Sequence, residues 1–540
     1  MKRVLIIILF FNFFTALSQN PYFEIAKQME IYNEVLKTLS TNYIDEINFG
    51  DLMQKNTKRT LNSLDRFTTF YDEQGILDQR MRQQGHFGGL GISIKATDSA
   101  LIIMNVFKDT PAQKEGLVTG DKIIAINGEK VASMERKVAS GLLRGPKGST
   151  VKLTIKRNGK MLKKEIHRDD IALDAVTGTS LDRDIGYIRF VKFNQKASSQ
   201  VKKAILDLKE KGAKKIIIDV RGNPGGLLNE VVKIVNFFIP KGKTVVTTKG
   251  RFEKYNKTYA TKNESLDEEI PLVILVNNRS ASASEILSGA LQDYDRAVIL
   301  GDTTYGKGLV QRTYKLKYGT YMKQTISKYF IPSGRLIQKI DYWHRDKNGK
   351  PTLLKDHEKG KEYLTTNGRK VYNLGGVIPD IVMEEGVDDS LIKDLVTNNY
   401  LFDFVTDYYY KNPIPKDYDN FSLPEDIIDQ LINYLEKSGK SPESAAEKLL
   451  KKAYERAKKE NQPQKILNRY KNMLEDYHAT DIEIIKKNSD YLTYLIGMDL
   501  VQRYFYTPGK INYKMQQDKL IQKAKEILRN EKEYNRILNK

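Results

Sequence analysis

The chain has 540 residues, 40% of them hydrophobic and 29% charged, which excludes a fibrous or membrane-embedded protein and leaves room for three or four globular domains. It has no cysteine, so disulfides, thiolate metal sites, a cysteine nucleophile and a lipidated amino-terminal cysteine are excluded. Its 89 Lys and Arg against 68 Asp and Glu give a formal charge of +21, scattered rather than gathered into an arginine and aromatic patch, which points to a solvated lysine-rich surface and not to a nucleic-acid groove.

In chain order, residues 1–18 carry Met1-Lys2-Arg3, an apolar run from Val4 to Phe14, and the small residues Ala16 and Ser18 at a cleavage-site spacing. This is the pattern of a signal peptide, its apolar stretch being shorter than the roughly 20 residues that span a membrane. It predicts export to the periplasm or cell envelope with removal after Ser18, retention as an anchor being the alternative. For an exported protein, excess positive charge suits peripheral contact with an anionic membrane surface or acidic clients.

Residues 19–82 place Ile31, Val35, Leu36, Leu39, Leu52, Leu61 and Leu64 at helical spacing, predicting a helical amino-terminal region. From Gly85 short alternating runs take over, namely Leu90 to Ile94, Leu101 to Met104, Lys122 to Gly128 and Val151 to Ile155, so residues 83–168 read as a small β-rich domain. Residues 169–387 alternate strand-like and helical stretches, the signature of an α/β core, with Trp343 to Gly376 as a long surface excursion. Residues 388–540 return to a helical pattern interrupted by Pro413, Pro415 and Pro424. No repeat of fixed period is present, and Tyr408-Tyr409-Tyr410 reads as packed or half-exposed surface.

The chemistry concentrates in Asn277-Asn278-Arg279-Ser280-Ala281-Ser282-Ala283-Ser284-Glu285-Ile286, which follows the apolar strand Leu272 to Val276 and precedes a helix. Such an elbow can present a serine oxygen beside the unpaired N–H groups of a helix amino terminus, although serines here also serve simply as caps. A serine nucleophile needs a base, and none of the five histidines, His86, His167, His344, His357 and His478, lies near this cluster in the strand-rich core. Lys307, in Gly306-Lys307-Gly308-Leu309-Val310-Gln311, is the alternative. To act near neutral pH its pKa must fall by about 3 from about 10.4, a cost near 4 kcal/mol that burial has to impose. Gln311, four residues on, shares a face with Lys307 in a strand or a helix and can orient the amine without adding charge. Gly222-Asn223-Pro224-Gly225-Gly226 forms a second strand-to-helix turn, without the lysine and hydroxyl of a phosphate loop, whose N–H groups could join that of Ala283 around an oxyanion.

These segments resemble the carboxyl-terminal processing, or tail-specific, proteases. The resemblance lies in Ser280 to Ile286, Gly289-Ala290-Leu291-Gln292-Asp293 and Gly306 to Gln311, with support from Leu64-Asp65, Ile185 to Arg189, Asp219 to Gly226, Ile331 to Arg335 and Gly375 to Asp380, over roughly residues 40–385. It implies that Ser282 is the nucleophile, Lys307 the general base and Gln311 its positioner, with backbone N–H groups of Ala283 and of Gly225 or Gly226 as the oxyanion hole. It also implies a multidomain α/β protein with a crotonase- or ClpP-like core and an inserted β-rich PDZ domain.

Gly88 to about Arg157, including Asp121 to Gly128, resembles a PDZ domain. The loop Gly89-Leu90-Gly91-Ile92 can turn N–H groups toward a terminal carboxylate, while Ile92 to Ile94 offers an edge for strand addition. Arg144, at the end of this module, is a candidate contact to substrate or core, or an ordinary surface ion-pair member. The expected function is an exported serine endopeptidase that reads carboxyl-terminal tails and cleaves through an acyl-enzyme, with no metal or organic cofactor. Its expected partners are proteins and peptides with free carboxyl termini. A non-catalytic PDZ scaffold and a hydratase-like activity are the alternatives. The helical ends either assemble into dimers or higher oligomers or wrap the core.

Overall fold

The structure, a computed structural model, describes residues 21–354 and 360–540; the segment read as a signal peptide lies outside the described residues. Its centre is a six-stranded sheet in which β1 (Val176–Asp182), β2 (Ile185–Phe190), β3 (Lys215–Asp219), β4 (Leu272–Val276), β5 (Val298–Gly301) and β6 (Ile381–Val382) lie in that spatial order. The first pair is antiparallel and the others are parallel. Every residue of β4 is apolar and fully buried, as a strand covered on both faces requires.

The two covers come from distant parts of the chain. Ile216, Ile218, Leu272, Ile274 and Val276 face one way, onto α1 (Ala197–Glu210), α2 (Leu228–Val235) and α3 (Ala283–Asp293). Their neighbours Ile217, Val273 and Leu275 face the other way, onto the carboxyl-terminal helices α4 (Ser489–Gln517), α5 (Lys519–Arg529) and α6 (Glu531–Ile537). On α5, Leu520, Ile521, Ala524, Ile527 and Leu528 form the buried stripe, and each large aliphatic chain there contributes about 1.5–3 kcal/mol. The last helices therefore complete the core. Within α4, Tyr506 adopts the non-helical φ 57°, ψ −154°, which breaks the helix in two and leaves Pro508 in the first turn of the second part, where its missing N–H costs no intrahelical bond.

A second sheet walls the cleft. Strand Tyr321–Phe330 pairs with Thr69–Tyr71, Thr244–Gly250 and Leu309–Lys315, and Lys257–Ala260 joins beyond Thr244–Gly250. The amino-terminal region is thus helical at Pro21–Asn42, Phe49–Asn62 and Glu73–Gln84, but contributes a three-residue strand too short to show any periodicity. The excursion at 343–376 carries hairpins of its own, Ile340–Arg345 with Pro351–Leu353 and Lys361–Leu364 with Lys370–Asn373.

The β-rich module is an antiparallel sheet in the order Ile92–Ala96, Leu101–Val106, Lys122–Ile126, Thr150–Arg157, Lys160–His167, which leaves Ile92–Ala96 at an edge. Strands His86–Gly89 and Asp169–Ala172 pair at its base, where it joins the core. The carboxyl-terminal helices also brace it, with Arg503 Nη1 3.0 Å from Thr406 Oγ1 and 3.4 Å from the Thr119 carbonyl.

Candidate active site

At the carboxyl end of β4 the chain turns into α3 through Ser282, a non-glycine residue at φ 58°, ψ −113°. That backbone is strained and needs surrounding structure to hold it. The residues alone left three serines open, and their environments now separate them. Ser280 is fully buried with its Oγ 2.8 Å from the Val220 carbonyl, and Ser284 is fully buried with its Oγ 2.9 Å from the Asn223 carbonyl. Both tie the elbow to the glycine loop, while Ser282 is partly exposed and lines a cleft of about 340 Å³.

Glu285 organises this corner. Fully buried, it accepts the N–H of Ser282 at 2.7 Å and of Lys307 at 2.9 Å on Oε2, and the Thr304 hydroxyl at 2.6 Å and Gly306 N–H at 2.7 Å on Oε1. One carboxylate thus fixes both the elbow and the lysine loop. Burial pushes its carboxyl up to about 7, against four donors that each favour the anion. Its position three residues after Ser282 is the serine-x-x-glutamate pattern of a capped helix start, a signal that could have singled it out. Beneath it, the buried Tyr329 hydroxyl donates to the Lys307 carbonyl and lies 3.2 Å from that of Ser282.

Lys307 lines the same cleft, partly buried, with its Nζ 4.3 Å from the centre of the Phe67 ring. Among the described residues it forms no ion pair. Burial pushes its pKa down to about 8, helped by the charges of Lys323 and Arg66 and opposed by those of Glu285 and Asp65. Phe67 arrives on the turn between the helix Phe49–Asn62 and the strand Thr69–Tyr71, held by Asp65, whose Oδ1 accepts the N–H groups of Phe67 at 2.7 Å and Thr68 at 2.8 Å. Nothing in the sequence marks Phe67 or Lys323 as neighbours of Lys307.

The expected bond between Gln311 and Lys307 is absent among the described residues. Gln311 lines the cleft, but its Nε2 lies 3.4 Å from Thr325 Oγ1. Lys307 sits in the loop before strand Leu309–Lys315, and the ladder of that strand shifts register between Val310 and Gln311, so the simple alternation that would align the two side chains fails.

The glycine loop abuts the elbow. A Cβ on Gly225, at φ 90°, would meet the Ala281 carbonyl at 2.6 Å and Ser282 Cβ at 2.9 Å, so only glycine fits. The Gly225 N–H is donated to Asn223 Oδ1 at 2.9 Å, which removes it from the expected oxyanion donors. Among the described residues the N–H groups of Gly226 and Ala283 donate to no protein acceptor, and both residues line the cleft.

In the β-rich module, Gly91 has φ 81°, and the carbonyls of Leu90 and Gly91 accept from Ala112 and Phe107, each at 2.9 Å. Leu90 is buried, and Gly89 and Ile92 flank it where the open edge strand begins. Arg144 donates to Asp78 Oδ1 at 2.7 Å and lies over the Phe87 ring, and among the described residues it is not one that lines the cleft.

Residues 184–342 match Peptidase family S41, residues 88–167 match the PDZ domain, and residues 391–528 match a C-terminal helical domain of probable PDZ-proteases. The molecule is a serine-type peptidase with a PDZ domain and a helical carboxyl-terminal region. It is 35% identical over 328 residues to the carboxy-terminal-processing protease of Bartonella bacilliformis, covering 60% of this chain and 74% of that one. With carboxy-terminal processing protease CtpA of Bacillus subtilis the identity is 32% over 309 residues, 57% of this chain and 66% of the relative. A solved photosystem II D1 C-terminal processing protease is similar at 24% identity and a TM-score of 0.36, over 64% of this chain and 84% of that one. The chain belongs to the carboxy-terminal processing proteases of family S41.

Proposed function

We propose that this protease is exported to the cell envelope, receives the carboxyl-terminal tails of proteins on its PDZ edge strand, and cleaves them with Ser282 as nucleophile and Lys307 as general base. The observation that carries the reading is that Lys307 stands without an ion pair among the described residues, desolvated over Phe67, in the cleft that Ser282 lines. Export rests on the amino-terminal sequence pattern, and tail capture on the free edge of Ile92–Ala96 beside the Gly89–Ile92 loop.

Neutral Lys307 Nζ takes the proton of Ser282 Oγ as the oxygen attacks the scissile carbonyl. Negative charge moves to the carbonyl oxygen, which the N–H groups of Ala283 and Gly226 stabilise. The tetrahedral intermediate collapses, protonated Lys307 gives its proton to the leaving amine, and Ser282 keeps the acyl group as an ester. Water, deprotonated by the same lysine, then releases the acid and restores the serine. Gln311 lines the cleft within reach of a bound substrate, and its role as positioner of Lys307 is that of the substrate-bound state.

The test compares hydrolysis of an unfolded protein whose carboxyl terminus is free with the same protein amidated there, using wild type and Ser282→Ala. Cleavage by wild type alone, faster on the free terminus, is expected. Cleavage surviving in Ser282→Ala would overturn the nucleophile, and equal rates on both termini would overturn tail recognition.

A further inference from the structure

The glycine loop and the elbow both hang from a buried charged cluster that the reaction does not touch. Arg221, immediately before Gly222, is 3% exposed. Its guanidinium forms paired bonds to Asp219, with Nε to Oδ1 at 3.0 Å and Nη2 to Oδ2 at 2.7 Å. It forms a second pair to Asp518, with Nη1 to Oδ1 at 3.1 Å and Nη2 to Oδ2 at 2.9 Å. Asp518 lies at the start of α5, in the carboxyl-terminal helical region, and also accepts the Tyr494 hydroxyl at 3.0 Å.

The cluster reaches the elbow as well. Glu385 Oε1 lies 3.3 Å from Arg221 Nη1, and its Oε2 accepts Asn277 Nδ2 at 2.7 Å. Asn277 Oδ1 in turn accepts the N–H of Gly222 at 2.8 Å and of Arg279 at 3.1 Å. Arg189 bonds the Asp219 carboxylate at 3.2 Å and the Arg221 carbonyl at 2.7 Å, and Lys514 lies 3.6 Å from Asp219. Three cations, Arg189, Arg221 and Lys514, thus face three anions, Asp219, Asp518 and Glu385. Loss of Asp518 would unbalance the cluster and free two guanidinium donors at the root of the glycine loop.

We infer that Asp518 is a positioning residue for peptide-bond cleavage: from the carboxyl-terminal helical region it fixes Arg221, and through Arg221 the glycine loop that abuts Ser282. The inference rests on the Ser282/Lys307 reading above. It gives the carboxyl-terminal helices a part in catalysis beyond covering the sheet, although none of their residues lines the cleft beside Ser282.

The experiment uses the full-length enzyme and a cleavable peptide. Asp518→Asn keeps the shape and removes the charge. It is expected to lower kcat about 10²-fold with KM within about twofold, the signature of a displaced loop and not of lost binding. Affinity for a peptide aldehyde, which forms a tetrahedral adduct on Ser282, falls by the same factor, while tail binding to the PDZ domain is unchanged. The double variant Arg221→Gln with Asp518→Asn removes one charge of each sign and serves also if the single variant fails to fold. Its unfolding midpoint returns toward wild type while kcat stays low. Recovery of kcat along with stability, or wild-type kcat in Asp518→Asn, would overturn the inference. Activity surviving in Ser282→Ala in the same assay would instead remove the nucleophile reading, so the two failures are distinguishable.

Discussion

Two buried carboxylate sites flank the loops around Ser282, and the protein answers their charge in opposite ways. Glu285 is met by four neutral donors, and burial carries its carboxyl up to about 7. Burial would raise Asp219 too, but Arg221, Arg189 and Lys514 outweigh it and hold that carboxyl well below the usual range. A carboxylate answered by dipoles can change its charge near neutral pH, whereas one answered by cations is a fixed strut. The titratable site stands beside the proposed chemistry, and the fixed site stands behind it.

The largest effect that would test this division is at Lys307, the cation that shares the Glu285 corner. Lys307→Met should abolish hydrolysis, a fall of about 10⁴-fold or more in kcat/KM, while raising the unfolding midpoint, because an apolar chain replaces a desolvated amine. Stability gained with activity lost separates a functional lysine from a structural one; retained hydrolysis would remove it as the base. Glu285→Gln comes next. An amide places its NH₂ against two of the four donors, so hydrolysis should slow about 10²-fold and the protein lose about 2 kcal/mol in denaturant titration. A variant as fast and as stable as wild type would show that the carboxylate does not hold the corner.

The pH dependence follows from the same two groups. Below the Lys307 value of about 8 the base is protonated, so kcat/KM should fall toward tenfold per pH unit as pH drops, with no such limb in Lys307→Met. For stability the signs differ. Glu285 has a folded value raised from 4.5 to about 7, so its neutral form favours the folded state below pH 4.5 and that contribution is lost as pH rises through 7. Lys307 has a folded value lowered from 10.5 to about 8, so its penalty is present below 8 and relieved as pH rises toward 10.5. These groups alone therefore place a stability minimum between about pH 7 and 8, each contributing on the order of 3 kcal/mol. Unfolding midpoints of wild type and Glu285→Gln from pH 5 to 10 check it: the acid-side slope should vanish in the variant.

Much of this arrangement is legible in residue order. The elbow, the alternating α/β core and the PDZ strands all carry their own period, and the glycine loop and Lys307 loop are short motifs. What is not legible depends on contacts between distant segments. Ser282 differs from Ser280 and Ser284 only because its neighbours are buried against Val220 and Asn223. Gln311 misses Lys307 because of a register shift in a ladder whose partner strand is read separately. Asp518 and Arg221 stand 297 residues apart, and no local pattern links them. The apolar run of β4 does carry a trace of that pairing, since a strand hydrophobic at every position requires a second cover, which the last helices supply.

The smallest predicted effect concerns the rim of the fixed cluster. Glu385 is 36% exposed, so solvent screens its attraction to Arg221, and its clearest contact is the bond to Asn277 at 2.7 Å. Glu385→Gln keeps an oxygen for that bond and gives up only the screened charge. It should change kcat by no more than about threefold and stability by less than about 1 kcal/mol, measured beside Asp518→Asn under identical conditions. Comparable losses in both variants would mean that the charge balance is shared evenly around Arg221. A small loss at Glu385 with a large one at Asp518 would locate the strut in the one anion that is both buried and delivered by the carboxyl-terminal helices.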